Sequence, residues 1–445
     1  MRAVLLALFT CVCGGAQTVS LGEAVRLAAG RYPSVRITQE NVSAAAAGIQ
    51  LARTAYLPRV DLYSQVNRAT RNNIYGMLLP QSTIAPISGP PVAEATGSSV
   101  FGTALGVHVA WEPFDFGLRK AGVEAAESAR RHADASVERT RFEVSAAAAD
   151  AYLTLLAAQE TVKAAEAGVR RAKVFAEAVS ALVRAELRPG ADESRARAEV
   201  AAAEMQRIQA EQAVEAARAS LTQLTGAPAA SLAALNAPPE ELAAASAAHP
   251  LVKEQGAAID EVRARQSVLD KSFFPKFQVQ GATYSRGTGA NPDFTTLGGL
   301  NGLAPNFYNW GLGFSLYFPL SDYASLKAKK DEQAARERAE KARLDLIQTD
   351  LDARLAKAKA ALEAARKIAQ QVPVQLEAAR AAEQQHAARY RAGLGTIVEV
   401  AEAQRLLAQA EIDESLAKLN IWRAHLQLAA AQGDLTGFLR QAGGN

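Results

Sequence analysis

The residues best placed for chemistry are carboxylates and aromatics late in the chain, and they do not compose an enzyme's reacting centre. Glu399 and Glu402 stand three apart, so on a helix they share one face. Repeated around an axis by several copies of a chain, such a pair would attract cations and resist anions. By spacing alone, two solvated glutamates on a helix surface are the plainer account. The five histidines are scattered, with no metal-ligand spacing. No His-Glu-x-x-His, phosphate loop or Cys-x-x-Cys occurs, and Gly311-Leu312-Gly313 lacks the rest of a phosphate-cradling fingerprint. With no nucleophile–base pair in view, the chain reads as a non-enzyme that needs no cofactor.

What must position these residues is a folded, exported chain. Of its 445 residues 49% are hydrophobic and 21% charged, a balance that suits a packed core rather than disorder. A net charge of +3 gives no strong pull toward nucleic acid. Residues 1–16 pair a basic Met1-Arg2 start with an apolar run too short to span a bilayer, then Gly14-Gly15-Ala16. That predicts a signal peptide ending at Ala16; the alternative is a buried N-terminal segment. Cys11 or Cys13 could instead be acylated, but the residues before each suit that poorly. Beyond the signal no run of about 18 apolar residues appears, so no transmembrane helix is expected. An exported chain of this kind is periplasmic, secreted or an outer-membrane β-barrel.

The rest of the chain repeats one plan twice. Pro33 and Pro58 recur as Pro250 and Pro275, both at an offset of 217. Trp111-Glu112-Pro113 resembles Tyr317-Phe318-Pro319 at 206, and Asp192 and Ala196 resemble Glu399 and Ala403 at 207. Two repeats are therefore expected, 17–225 and 240–437, joined by an Ala/Pro-rich linker at 226–239 and followed by a tail at 438–445. Each half reads helix, strand pair, long helix, helix. Trp310, Leu312, Phe314, Leu316 and Phe318 alternate with small or polar residues. Similar alternation predicts strands near 60–67, 100–112, 277–285 and 308–319, each about the length of a tilted membrane strand. A soluble half-buried sheet would show the same pattern. Four strands cannot close an open barrel, so a barrel needs several chains.

The helices carry a seven-residue period. Leu155, Val162, Val169, Ala176 and Val183 recur every seven, with Ala158, Ala165, Ala172 and Val179 beside them. In the second half Leu344, Leu351, Ala358, Ala365 and Val372 do the same, with Leu355, Leu362, Ala369 and Leu376 as companions. This predicts coiled coils whose alanine seams let helix axes approach closely, with a kink at Pro373. A plain helical bundle has the same period.

Two tip segments carry a resemblance. Tyr390-Arg391-Ala392-Gly393-Leu394-Gly395-Thr396-Ile397-Val398-Glu399-Val400-Ala401-Glu402-Ala403 resembles the periplasmic entrance segment of the TolC family of outer membrane factors. Leu187-Arg188-Pro189-Gly190-Ala191-Asp192 resembles its first-half counterpart. The likeness covers nearly all of the mature chain. It implies a mixed α and β trimer, in which long antiparallel coiled-coil helices form an α-barrel. Four strands from each protomer complete a twelve-stranded transmembrane β-barrel.

The resemblance also implies roles. Glu399 and Glu402 would form the entrance constriction, and Tyr390 with Asp192 would hold it shut. Leu187, Gly393 and Leu394 would meet a periplasmic adaptor. Trp310, Leu312, Phe314, Leu316 and Phe318 would face outer-membrane lipid. Gly395 departs from the family member with the best-known gate, which has arginine there, so one link of that lock is missing. The implied function is an outer-membrane efflux outlet, with the adaptor and an inner-membrane transporter as partners. A type I protein-secretion outlet and a pore-less periplasmic scaffold are the alternatives.

Overall fold

A computed structural model describes residues 18–70, 99–227, 231–240, 248–291 and 295–443. The expected signal segment with its two cysteines lies outside them. The elements run β1 (Thr18–Val19), α1 (Leu21–Arg31), α2 (Pro33–Thr54), β2 (Arg59–Thr70) and β3 (Ser99–Phe114). Then come α3 (Leu118–Arg184), α4 (Gly190–Thr225), β4 (Ser231–Leu232) and α5 (Pro250–Lys271). The chain closes with β5 (Lys276–Thr288), β6 (Phe307–Tyr317), α6 (Tyr323–Arg391), α7 (Ile397–Gln432) and α8 (Thr436–Gln441). No described helix is long and apolar enough to cross a membrane.

The chain divides into two compact units. The one built from Ala44–Arg130 and Ile259–Ala339 holds a four-stranded antiparallel sheet ordered β2-β3-β5-β6. Its register aligns the alternating residues across all four strands. Leu62 faces Val107, Val107 faces Thr283, and Thr283 faces Trp310. Val109 faces Gly281, which faces Leu312; Trp111 faces Val279, which faces Phe314. Because opposed residues of an antiparallel pair share a face, one face of the sheet is largely apolar, broken by Ser64, Thr283 and Ser285. The other carries Asp61, His108, Gln280, Tyr284 and Asn309 with the small residues between them. Gly106 sits where strands crowd: a Cβ there would stand 2.3 Å from that of Tyr284, so only glycine fits. Leu312 is 74% exposed, and Val60, Leu62, Trp310 and Phe314 are also open. The strand edges β2 and β6 have no partner among the described residues. Phe318, expected within the last strand, lies just beyond β6. Pro319 follows it and cannot extend a ladder, and the Phe318 ring packs on Phe273 at 5.3 Å.

The other unit joins Met1–Ser43, Arg131–Ala258 and Glu340–Asn445. Its core gathers Leu21, Tyr152, Leu153, Leu221, Trp422 and Phe438, all buried. Two of the polar side chains brought inside find backbone partners, whereas His425 Nδ1 has none among the described residues. The Trp422 indole donates to the Asn236 carbonyl at 3.1 Å, and the Tyr152 hydroxyl reaches the carbonyls of Ala233 and Val19. Those two carbonyls flank a short parallel pair of β1 with β4 that local patterning did not announce. Helix α8 runs across the expected boundary at 437 into the tail and seats Phe438 in the core. The heptad residues turn inward: Leu155, Val169, Val179, Ala358, Leu362, Val372 and Leu376 are buried. Helix α6 runs through Pro373 without ending there.

Candidate functional site

Two helix-to-helix turns of the same build come together in the second-described unit. Helix α3 ends with Leu187 N–H donating to the Leu182 carbonyl and Glu186 N–H to that of Val183, both at 3.0 Å. Helix α6 ends the same way, Leu394 to Arg389 at 2.9 Å and Gly393 to Tyr390 at 3.1 Å. Each is a six-to-one, five-to-two helix stop, which needs a left-handed residue before the last donor. Glu186 (φ 60°) and Gly393 (φ 83°) supply it. The leucines thus occupy one slot in two copies of the turn, and both project outward, 69% and 73% exposed.

Between the turns lies Tyr390, 1% exposed, packed with Val179, Ala196, Ile397 and Val400. Its hydroxyl donates to the Asp192 carboxylate at 2.7 Å. Burial, then the neighbouring Asp192 charge, pushes the phenol well above its usual range, with Arg188 opposing. It therefore stays a donor at any ordinary pH. Asp192 stands in the first turn of α4, where a carboxylate is favoured by the helix dipole.

Arg188 closes the cluster. Its guanidinium lies 4.3 Å over the Tyr390 ring and donates to the Tyr390 carbonyl, with Gly395 O at 3.5 Å. One side chain from the first turn so braces the last turn of α6, where a cation complements exposed carbonyls.

Glu399 and Glu402 both face solvent on α7. Glu399 also has local work. Its carboxylate accepts from Thr396 N–H at 3.2 Å while Thr396 Oγ1 accepts from Glu399 N–H, a reciprocal cap on α7. His386 Nδ1 stands 3.9 Å from the same carboxylate. No hydrogen bond or ion pair holds Glu402 among the described residues. A cavity of about 320 Å³ opens between the helices, lined mainly by alanines with Arg171 and the Arg405–Glu199 pair. No cluster of three or more His, Cys, Asp or Glu forms among the described residues.

The tandem halves and their turns have counterparts elsewhere. The family model described as outer membrane efflux protein matches residues 24–227 and 242–434. The chain belongs to the outer membrane efflux protein family. Its place is the outer membrane, with its helices in the periplasm, and its function is that of an efflux channel. A pore-less scaffold is thereby set aside. Similar folds include the CmeC outer membrane channel of Campylobacter jejuni, 15% identical with a TM-score of 0.76 over 93% of this chain and 85% of that one. The outer-membrane channel OprN is 21% identical, with a TM-score of 0.73 over 93% and 89%. The outer membrane protein VceC of Vibrio cholerae is 17% identical, with a TM-score of 0.73 over 94% and 96%. No curated protein matches by sequence.

In this efflux protein Arg188 is the residue sequence reasoning passed over. The signal was present: the offset of 207 that maps Asp192 onto Glu399 maps Arg188 onto Gly395. The arginine absent from the second turn stands at the matching place in the first. The sequence Thr396-x-x-Glu399 likewise spells a capping box.

Proposed function

We propose that three copies of this chain close one twelve-stranded barrel and conduct solutes passively from periplasm to exterior. They do so when the turns at 185–189 and 392–396 dock to a periplasmic adaptor and, through it, to an inner-membrane pump. The observation that carries this reading is the four-stranded sheet, largely apolar on one face and small or polar on the other, with neither edge paired among the described residues. A sheet of four strands leaves rows of unsatisfied backbone groups that no bilayer tolerates. Three such sheets joined edge to edge satisfy them all and enclose a wet lumen.

The apolar face, with Trp310, Leu312, Phe314 and Leu316, turns to lipid, and Phe318 marks its end. At the entrance, Tyr390 and Asp192 hold the two turns in their closed relation, and Arg188 supplies the brace that Gly395 lacks. Glu402, with no partner among the described residues, and Glu399, shared with its cap, form the acidic constriction. Leu187, Gly393 and Leu394 present the adaptor-facing surface. The test is the mass of the protein extracted from outer membranes in mild detergent. A particle of three protomers that forms cation-preferring pores in planar bilayers supports the reading. A monomer that forms no pores refutes it.

A further inference from the structure

The sheet's apolar face does not stop at the strand ends that lead into the helices; it runs on into a band of aromatics. Phe114 and Phe277 close the strands on that face, 6.0 Å apart by ring centres. Phe116 stacks on Phe274 at 5.1 Å. Phe273 meets Phe318 at 5.3 Å and Tyr323 at 5.7 Å. Aromatic belts of this kind mark the depth at which hydrocarbon gives way to headgroups. Because β6 passes directly into α6, this is the periplasmic rim of the membrane band.

Within that belt a cleft of about 240 Å³ opens between the end of α5 and the start of α6. Its apolar wall is Phe273, Phe274, Tyr323 and Leu326; its polar wall is Lys327, Lys330 and Asp270. Lys330 is paired with Asp270 at 2.8 Å. Lys327 is exposed, with no hydrogen bond or ion pair among the described residues, and Lys271 lies 5.7 Å over the Phe274 ring beside the cleft. Two ammonium groups and one carboxylate line the cleft, and Lys271 stands beside it, so the site is net cationic.

We propose that this cleft binds one anionic glycerophospholipid of the periplasm-facing leaflet. Its phosphate sits on Lys327 and Lys330, and an acyl chain runs past Phe273 and Phe318 onto the Leu316–Phe314 stripe. The inference rests on the reading that this stripe faces lipid. Both halves of the ligand are matched: a cation pair for the headgroup and a continuous apolar track for the chain. The purpose served is anchorage, since a fixed headgroup sets the depth of the barrel where helices take over from strands.

The test uses the detergent-extracted full-length protein and native mass spectrometry. Phosphatidylglycerol and phosphatidylcholine with identical acyl chains are offered at equal concentration. The expected result is preferential retention of phosphatidylglycerol, reduced about fivefold by Lys327→Gln, the effect of one cation beside an anionic lipid. Lys327→Gln leaves the Lys330–Asp270 pair intact, so lost retention cannot be ascribed to a freed Asp270. Lys359→Gln, on the exposed surface of α6 away from the cleft, should retain lipid as the parent does. Equal retention of the two lipids, or of phosphatidylglycerol by Lys327→Gln and parent, overturns the proposal while leaving the lipid-facing stripe standing. Failure of the parent protein to enter liposomes of either lipid overturns both.

Discussion

Arg188 offers the most telling perturbation of the entrance. Arg188→Ala removes a charged donor from the Tyr390 carbonyl, a contact worth about 1.5–3 kcal/mol when partly shielded. It also removes the cation over the Tyr390 ring, about 0.5–1 kcal/mol at a site open to water. Two facts reduce the sum. The Tyr390 carbonyl keeps the Gly393 N–H at 3.1 Å, and Gly395 O at 3.5 Å is too far to add much. A net shift of about 1.4 kcal/mol per protomer remains, roughly tenfold in a closed–open equilibrium. If three entrances open together, the trimer shifts by about a thousandfold. Tyr390→Phe should do less, because it keeps the ring beneath Arg188 and frees only a half-buried Asp192, which water can reach. Arg188→Lys should fall between, keeping the charge but losing the planar fork. Single-channel recording in planar bilayers reads this as mean conductance and open time. Unchanged recordings for Arg188→Ala, with normal trimer yield, would refute the brace.

Other consequences are open to measurement. Leu312→Arg or Phe314→Arg should cost about 2–4 kcal/mol of insertion near the midplane; Gly313→Arg, on the polar face with open space at its Cβ, should cost much less in liposome-insertion assays. Equal losses on the two faces would reverse the assignment. Glu402→Gln should lower cation preference, most at low ionic strength where screening is weakest. Glu399→Gln should do so less cleanly, because its carboxylate is also engaged in the cap on α7. Reversal potentials that do not move in either variant would remove both glutamates from the constriction. Burial lowers the pKa of His249 and of His425, with Arg354 and Arg366 respectively adding to the effect and backbone carbonyls opposing it. The unfolded chain then takes up protons first, so their contribution is full above about pH 6.5 and is lost as pH falls through the depressed folded values. Thermal unfolding should shift downward on acidification over that window, and His425→Gln should flatten part of the slope; identical slopes would show that His425 does not titrate on unfolding.

Much of this was legible because it is local. Strand alternation and the heptads each depend on neighbours within a few residues, and the register confirms the alternation face by face; the twin prolines showed only when the chain was set against itself at an offset of 217. The joining of β3 to β5, which makes one sheet of two halves, depends on edges meeting across most of the chain and left no local trace. The same holds for β1 with β4, two residues each, and for α8, whose Phe438 is fixed by Trp422 rather than by its own period. At the entrance the matched motifs supplied Tyr390 and Asp192. Arg188 escaped because the match between the turns was drawn at Asp192 and Ala196 and not carried back to Gly395. Glu399 was read as a pore carboxylate, and the geometry gives it a second, structural task.

That three copies close one barrel is tested by joining the open edges. Cys11 and Cys13 are the only cysteines and fall in the segment expected to be removed, so introduced thiols report cleanly. Single cysteines at 62, 64 or 66 of β2 are paired with ones at 310, 312 or 314 of β6 in the same chain and oxidised in native outer membranes. The account predicts that at least one pairing yields covalent trimers as the end point of the ladder, with nothing larger. A ladder that ends at dimers, continues past three, or never leaves the monomer would contradict it.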